Sequence, residues 1–132
     1  MKVYKLVRKV QGRFYPLFID KHKEFKFGEW FYAEFHPTKG FAPRSLNGFD
    51  NPIGGLHCCF TTYAKHLSEK LKTGEERVWI ECEAEGKSKT YKRSLLQGGD
   101  WILVEKLKPL REVPWDEVRK RQAEFERQHN VA

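Results

Sequence analysis

The sequence predicts a single α+β domain, residues 1–132, built on a mostly antiparallel twisted sheet with one central short helix and one C-terminal amphipathic helix. A length of 132 residues fits one domain, and no linker or internal repeat divides the chain. Strand-like segments follow one another across short turn signals, whereas helical spacing occurs at two places. Aromatic residues make up 14% of the chain, which indicates a packed core despite 33% charged residues.

The first third of the chain predicts three strands. Residues 3–10 contain β-branched and aromatic side chains in imperfect alternation, and residues 14–19 form a second strand after a turn at 11–12. Pro16 favours an edge or bulge position for that second strand. Residues 29–35 are aromatic enough to be buried on much of both faces, which predicts a third strand.

A long loop and a short helix are predicted for the middle of the chain. Residues 36–52 are rich in Pro, Gly, Asn and Ser and lack any period, and loops this long inside compact domains are often functional. Residues 56–60 then predict a short buried strand. Thr61 or Thr62 can cap a helix that runs to about Leu71.

Three more strands are predicted for the second half. Residues 77–85 alternate most regularly between apolar and acidic side chains. We expect the apolar face of this strand to be buried and the acidic face to be exposed to solvent. A turn at 86–88 separates this strand from a basic strand over 89–95. A further strand covers residues 101–108.

The last predicted element is an amphipathic helix over residues 114–129. Pro114 suits the first helical position, and Asp116 and Glu117 in the first turn complement the helix dipole. The inner stripe of this helix comprises Trp115, Val118, Gln122 and Phe125.

Charge and composition restrict the class of partner. The net charge is +7, and residues 1–30 carry eight basic against three acidic side chains, or +5. Such a field attracts nucleic acid or an acidic protein. No apolar run approaches the roughly 18 residues that a membrane helix needs, and the N-terminal residues lack a signal-peptide core. We therefore expect a cytoplasmic protein without membrane partners, and its oligomeric state stays open.

Metal and nucleophile chemistry are weakly indicated. Three cysteines, two of them adjacent, are expected to be reduced and packed as small apolar groups. The possible metal ligands lack CxxC or HxxxH spacing, so we expect no metal and no cofactor. Cys58 or Cys59 beside a histidine would form a nucleophilic pair, but no third orienting group is evident. The possible ligands are His36, His57, Cys58, Cys59, His66 and Cys82.

Basic and aromatic residues interleave in a way that favours nucleic-acid or partner binding. Aromatic side chains on a sheet stack on bases while Lys and Arg hold phosphates. An exposed, charged strand that binds no ligand would show the same pattern of residues. Gly54 and Gly55 would let a nucleotide approach the backbone, although no P-loop or GxGxxG pattern is present. The predicted binding residues are Lys5, Arg8, Lys9, Arg13, Lys89, Tyr91, Lys92 and Arg93.

Eight segments spread along the chain carry a resemblance to a known family. They are Tyr4-Lys5-Leu6, Pro16-Leu17-Phe18-Ile19, Gly28-Glu29-Trp30, Ala33-Glu34, His36-Pro37-Thr38-Lys39-Gly40-Phe41-Ala42, Leu56-His57-Cys58, residues 64–70 and Arg77-Val78-Trp79. Together they resemble a family of small uncharacterised proteins from phages and gut bacteria. In that family a Pro-Gly-Trp-His-Cys segment closely follows the Gly-Phe-Ala segment, whereas here residues 45–53 are inserted before Gly54-Gly55-Leu56-His57-Cys58. The resemblance implies phage or prophage origin and no assigned activity.

A second resemblance, over about a third of the chain, is carried by a basic first strand, a Gly-Leu-His strand leading into a helix, and a later acidic strand. This order is similar to the ADP-ribosyltransferase layout. This resemblance implies that a first-strand cation and a middle-strand polar group hold NAD while a glutamate acts on the ribose. The matching positions are Arg8, then His57 or Thr61, then Glu81, Glu83 or Glu105.

Two functional hypotheses follow. The first is a small basic phage-type binding protein that acts non-catalytically on a host protein or nucleic acid, with counter-defence as one version of that role. It would use the basic N-terminal sheet and the 36–52 loop. The alternative is an NAD- or nucleotide-binding enzyme, or a degenerate relative of the ADP-ribosyltransferase fold, with His57 in its pocket. The catalytic candidates are His57, Arg8, Thr61 and Glu83.

Overall fold

The computed structural model describes residues 1–17, 22–33, 56–63 and 69–129. Within these ranges the strands pair antiparallel and a C-terminal helix follows them, so the predicted α+β class is confirmed. The elements are β1 Lys2–Val10, β2 Arg13–Tyr15, β3 Phe31–Tyr32, β4 Leu56–Cys59, β5 Glu76–Tyr91, β6 Trp101–Val113 and α1 Trp115–Gln128.

Four strands pair into a closed ring. Strand β1 pairs with β5 along eight residues, and β5 pairs with β6. Strand β6 pairs with β4 on its other side, and the register Tyr4↔Cys59 joins β4 back to β1. The short strands β2 and β3 extend β1 and β6 respectively.

The ring separates two apolar clusters. Alternation sends Val78, Ile80 and Cys82 of β5 to the inner side, as the sequence predicts. Trp79 points outward and packs with Val113 against α1. The inner cluster comprises Val3, Val7, Phe14, Phe25, Phe31, Cys58, Val78, Ile80, Cys82, Ala84, Ile102, Val104 and Leu107.

Helix α1 covers the outer face of the ring beside Trp79. Val118 is 4% exposed and packs in this outer cluster with Tyr4 and Leu6. The indole nitrogen of Trp115 donates to the carbonyl of Arg77 at 3.0 Å, which ties the first turn of the helix to β5. Pro114 precedes the helix as its cap, one position earlier than predicted.

The predicted turn at 86–88 is wrong, because β5 runs unbroken through these residues. Its register against β6 shifts between Glu85 and Ser88, which marks a bulge. Gly86 adopts φ 87°, and the Lys87 amide donates to the Glu105 carboxylate at 2.8 Å. Glycine here bends a strand without ending it, and the sequence pattern does not distinguish the two outcomes.

The other predicted bounds differ in length. The predicted 14–19 and 29–35 strands shorten to β2 and β3 within the described residues. The 101–108 strand extends to Val113, because a register shift opposite Glu81 and Cys82 accommodates Pro109 in the sheet. The basic strand stops at Tyr91, and a 3-10 turn at Leu95–Gln97 follows.

The centre of the chain is described in part. The 36–52 loop and residues 64–68 of the predicted central helix lie outside the described residues. On the flanks of that helix, Thr61–Tyr63 are not helical, and Lys70 forms a bridge to Glu76. Among the described residues, no helix has the length and apolar character to cross a lipid bilayer.

Candidate functional site

A stack of three rings lies on the outer face where β4, β6 and β5 run side by side. The register sets Trp101 opposite both Cys59 and Tyr91, with His57 two residues away on β4. The ring centres of His57 and Trp101 lie 4.4 Å apart, and those of Tyr91 and Trp101 also lie 4.4 Å apart at 18°. Trp101 is 3% exposed, so it supports the outer rings and cannot itself receive a ligand.

Cations surround this stack. Lys89 Nζ lies 5.3 Å from the centre of the Tyr91 ring. Arg93 Nε donates to the Gly99 carbonyl at 2.9 Å, which fixes the guanidinium beside β4. Lys92 pairs with Asp100 at 3.1 Å and keeps 92% of its side chain exposed. We call Tyr91, Lys89, Lys92, Arg93 and the supporting rings His57 and Trp101 the aromatic–basic face.

His57 is held in a neutral form. Burial, followed by the charges of Lys5 and Arg93, lowers the pKa of its imidazole to about 3. The Lys5 ammonium donates to the His57 carbonyl at 2.8 Å, which anchors β1 against β4. At neutral pH the ring therefore carries no charge, and its packing on Trp101 is the role that the contacts show.

The four catalytic candidates do not converge. Arg8 pairs with Glu75 at 3.4 Å. Thr61 Oγ1 donates to the Gly98 carbonyl at 3.3 Å. In the register of the sheet, Glu83 lies opposite Lys108 of β6, whereas His57 lies opposite Leu103 of β6. These two positions on β6 are five residues apart. Five residues of strand span about 17 Å, so Glu83 and His57 do not share one substrate pocket.

The acidic face of β5 is paired with cations. Glu81 is 8% exposed, so the interpretation of this residue as part of a solvent-covered face is wrong. Its carboxylate lies 3.4 Å from Arg111 and 3.8 Å from Lys2. The N-terminal ammonium contacts Glu83 and holds the pKa of that carboxyl below its usual value. These glutamates therefore stabilise the sheet through cross-strand pairs.

The third glutamate of the ADP-ribosyltransferase resemblance also has a structural partner. Glu105 accepts the Lys87 amide at the bulge of β5. Its carboxylate therefore stabilises the bend of that strand.

The predicted N-terminal binding residues point in several directions. Lys5 lies between Val3 and Val7, whose side chains are in the inner cluster, and its ammonium reaches the His57 carbonyl. Lys9 pairs with Glu112 at 2.9 Å, and this hydrogen bond raises the pKa of its ammonium. Arg13 is exposed at the start of β2. Lys5 therefore contacts the backbone of His57 in the aromatic–basic face, whereas the structure does not bring Lys9 or Arg13 there.

A second group of rings and lysines was missed by sequence reasoning. Trp30 directly precedes β3 and, like Tyr32, has its ring beside Lys106, and Tyr32 is 52% exposed. Lys106 Nζ lies 4.8 Å from the Trp30 ring centre and 5.7 Å from that of Tyr32, and Lys108 Nζ lies 4.9 Å from Trp30. An adjoining cleft of about 280 Å³ is lined by Lys23, Glu24, Lys26, Glu29, Trp30, Phe31 and Tyr32.

The signal for this second group was present but incomplete. Outward residues at 30 and 32 and lysines at 106 and 108 each show strand alternation. Their meeting depends on the register Tyr32↔Lys106, which separates partners by more than 70 positions in the chain. We call Trp30, Tyr32, Lys106, Lys108 and the adjoining cavity the β3 cleft.

Metal and thiol chemistry find little support in the described ranges. There, no three His, Cys, Asp or Glu side chains come together in a way that holds a metal ion. His36 and His66 lie outside the described residues. Burial raises the pKa of the Cys58 thiol to about 12 and also raises that of Cys82. Both thiols stay protonated at neutral pH, so neither is an activated nucleophile.

Comparisons of the chain with protein-family models, with curated proteins and with solved structures found no match. Neither resemblance is therefore tested by them, and both stay predictions.

Proposed function

We propose that the protein is a non-catalytic binding protein for single-stranded nucleic acid. The aromatic–basic face is the observation that carries this proposal. It presents Tyr91 on a rigid ring stack, with the exposed Lys89 beside its ring and the exposed Lys92 next to it in the chain. Nucleic acid uses both features, because phosphates attract the cations and unstacked bases pack on rings.

The charge along β5 favours a polyanion over a neutral partner. Residues 85–90 are all exposed, and Lys87 and Lys89 lie among them. On the preceding half of the strand, by contrast, the glutamates pair with lysines and arginines of neighbouring strands. Within β5, the acidic charge of the first half is therefore paired, whereas Lys87 and Lys89 in the second half carry exposed positive charge.

Single strands suit this surface better than duplexes. Duplex recognition commonly places a basic helix in the major groove. Helix α1 carries four acidic and four basic side chains, so it has no net charge with which to enter a groove. The sheet face offers flat aromatic support, which bases reach when they are unpaired.

The enzyme alternative is less well supported. His57 is neutral and packed on Trp101. Glu83 of β5 lies opposite a position of β6 that is about 17 Å along the strand from the position opposite His57. Phage origin and action on a host component are part of the same proposal, and the sequence resemblance supports them. A host protein is the other partner predicted from the sequence, but rings adjoining exposed lysines favour nucleic acid.

Fluorescence anisotropy with labelled single-stranded DNA and RNA 12-mers tests the proposal. We expect Lys89→Gln/Lys92→Gln to weaken binding at least about fivefold, because each lysine neutralises phosphate charge. Lys120→Gln removes an exposed lysine of α1 and should leave affinity within about twofold. Absence of binding by the native protein, or equal loss in both variants, would overturn the proposal.

A thermal-shift screen separates the enzyme alternative. A ligand at 100 times its dissociation constant stabilises a protein by about 2.7 kcal/mol. We expect NAD, ADP-ribose and mononucleotides to leave the melting temperature of the protein unchanged, even when each ligand is added in large excess. A clear shift with NAD or ADP-ribose would favour the enzyme over the binding protein.

A further inference from the structure

We infer that the β3 cleft is a subsite for one unpaired nucleobase, which stacks on Tyr32 while Lys106 and Lys108 hold the adjoining phosphates. The inference rests on the proposed function and adds a second contact point for the same single strand. None of these four residues was among the predicted binding residues.

The platform is rigid before any ligand arrives. Phe31 is 5% exposed and packs its ring 4.2 Å from that of Phe25 in the inner cluster. Because neighbours on a strand point oppositely, this anchor turns Trp30 and Tyr32 outward. The Gly28 amide donates to Pro109 and the Ala33 amide donates to Glu105, each at 2.8 Å, so both ends of the segment are bonded to β6.

The lysines are held close to the rings. Lys106 and Lys108 both lie within 5 Å of the Trp30 ring centre, at 4.8 and 4.9 Å. Attraction between ammonium and ring restricts each side chain before a phosphate binds, which lowers the entropy that binding costs. Tyr32 keeps 52% of its surface exposed beside Lys106, so its ring can receive a second flat group.

The size of the cleft and its exposed ring favour one base. Its volume of about 280 Å³ lies just below the range typical of pockets for whole small molecules. Four lysines, at 23, 26, 106 and 108, face four glutamates, at 24, 29, 83 and 85, so the cleft has no excess charge that would favour an acidic peptide. The exposed Tyr32 ring offers a stacking surface that a base uses and that an acidic peptide would leave uncovered.

Two oligonucleotides and three variants test the subsite. Tyr32→Ala should weaken binding of a thymidine 12-mer about tenfold, because stacking on the ring is lost. Tyr32→Phe should bind within about twofold of the native protein. Leu110→Ala, which shortens an exposed apolar side chain of β6, should also leave affinity unchanged. A 12-mer of abasic sugar phosphates should bind native protein and Tyr32→Ala equally.

The outcomes separate this inference from the proposed function. If Lys89→Gln/Lys92→Gln loses affinity while Tyr32→Ala retains it, the binding function stands and the β3 cleft is not a base subsite. Equal losses by Tyr32→Ala on the thymidine and abasic oligonucleotides would also overturn base stacking. So would competition by polyglutamate that matches competition by the oligonucleotide. If the native protein binds no oligonucleotide, the proposed function and the subsite both fail.

Discussion

His57 lies between two cations and an aromatic ring, and its burial and the two cations favour its neutral form. Lys5 and Arg93 repel an added proton, and burial removes the water that would stabilise the imidazolium. The ring packs 4.4 Å from Trp101, while the backbone carbonyl accepts the Lys5 ammonium at 2.8 Å. The residue therefore joins β1, β4 and β6 through side chain and backbone together.

Acid should destabilise the protein through His57. The unfolded residue takes up a proton below pH about 6.5, whereas the folded ring does so only near pH 3. The unfolded state thus binds more protons between these values, and stability falls as pH falls. From pH 7 to pH 5 this residue should cost about 2 kcal/mol of unfolding free energy.

Urea titrations at pH 7 and pH 5 measure that loss. His57→Phe keeps a flat ring against Trp101 but cannot bind a proton. Between pH 7 and pH 5 the variant should therefore lose about 2 kcal/mol less unfolding free energy than the native protein loses. Other titrating groups are common to both proteins and cancel in the comparison. An identical pH dependence would show that His57 titrates normally in the folded state.

Some individual residues could be predicted from sequence and others could not. Tyr91, Lys89 and Arg93 were predicted from the basic-aromatic pattern, and the structure does place them together with His57. Glu83 was a catalytic candidate through the ADP-ribosyltransferase resemblance, but its partners, the N-terminal ammonium and Lys108, come from distant parts of the chain. Charge is local information, whereas neutralisation depends on the register between distant strands.

Strand β5 shows how one glycine can bend an element without ending it. A side-chain carbon added to Gly86 would lie 2.7 Å from the Glu105 carboxylate oxygen and 3.0 Å from its Cβ. The same carboxylate accepts the Lys87 amide, so the bulge is packed closely on β6. The bend lets β5 pair with β1 over its first half and with β6 from Trp79 to Tyr91.

Gly86→Ala and Gly12→Ala separate this packing from backbone strain. Both glycines have positive φ, 87° and 78°, but Gly12 has nothing within 4 Å of an added Cβ. Gly12→Ala should therefore lose about 1 kcal/mol of stability from backbone strain alone. Gly86→Ala should lose about 2–3 kcal/mol, because Glu105 must also move and release the amide. Equal losses in denaturant titrations would mean that the bulge tolerates a side chain.

Strands β1 and β4 and helix α1 lie within one or two residues of their expected bounds. Strand β5, whose first half alternates most regularly, instead runs six residues past its expected end, because the bulge at Gly86 continues the strand. The extension of β6 through Pro109 was missed because a bulge opposite Cys82 makes room for it. Closure of the ring and formation of the β3 cleft depend on strand register, which no local pattern specifies.

At the scale of the whole molecule, basic side chains outnumber the acidic side chains that can pair with them. The net charge is +7. Glutamates 81, 83 and 85 contact cations across the sheet, and α1 balances its own charges. Lys89 on the aromatic–basic face and Lys106 and Lys108 in the β3 cleft lie on β5 and β6, and Lys92 directly follows β5. A single strand of nucleic acid that runs along β5 and β6 would meet the aromatic–basic face and the β3 cleft, each of which has aromatic rings and lysines.

Binding to single strands should therefore weaken steeply with salt. If those four lysines each neutralise one phosphate, the logarithm of the affinity should fall with the logarithm of salt concentration at a slope of about −3. Affinity should then drop about 50-fold between 50 and 200 mM salt, as measured by fluorescence anisotropy. Lys89→Gln/Lys92→Gln should reduce the slope by about half, because two released counterions are lost, whereas Lys120→Gln should leave it unchanged. A flat salt dependence would mean that phosphates are not the groups this surface binds, since counterion release accompanies every phosphate that a lysine neutralises.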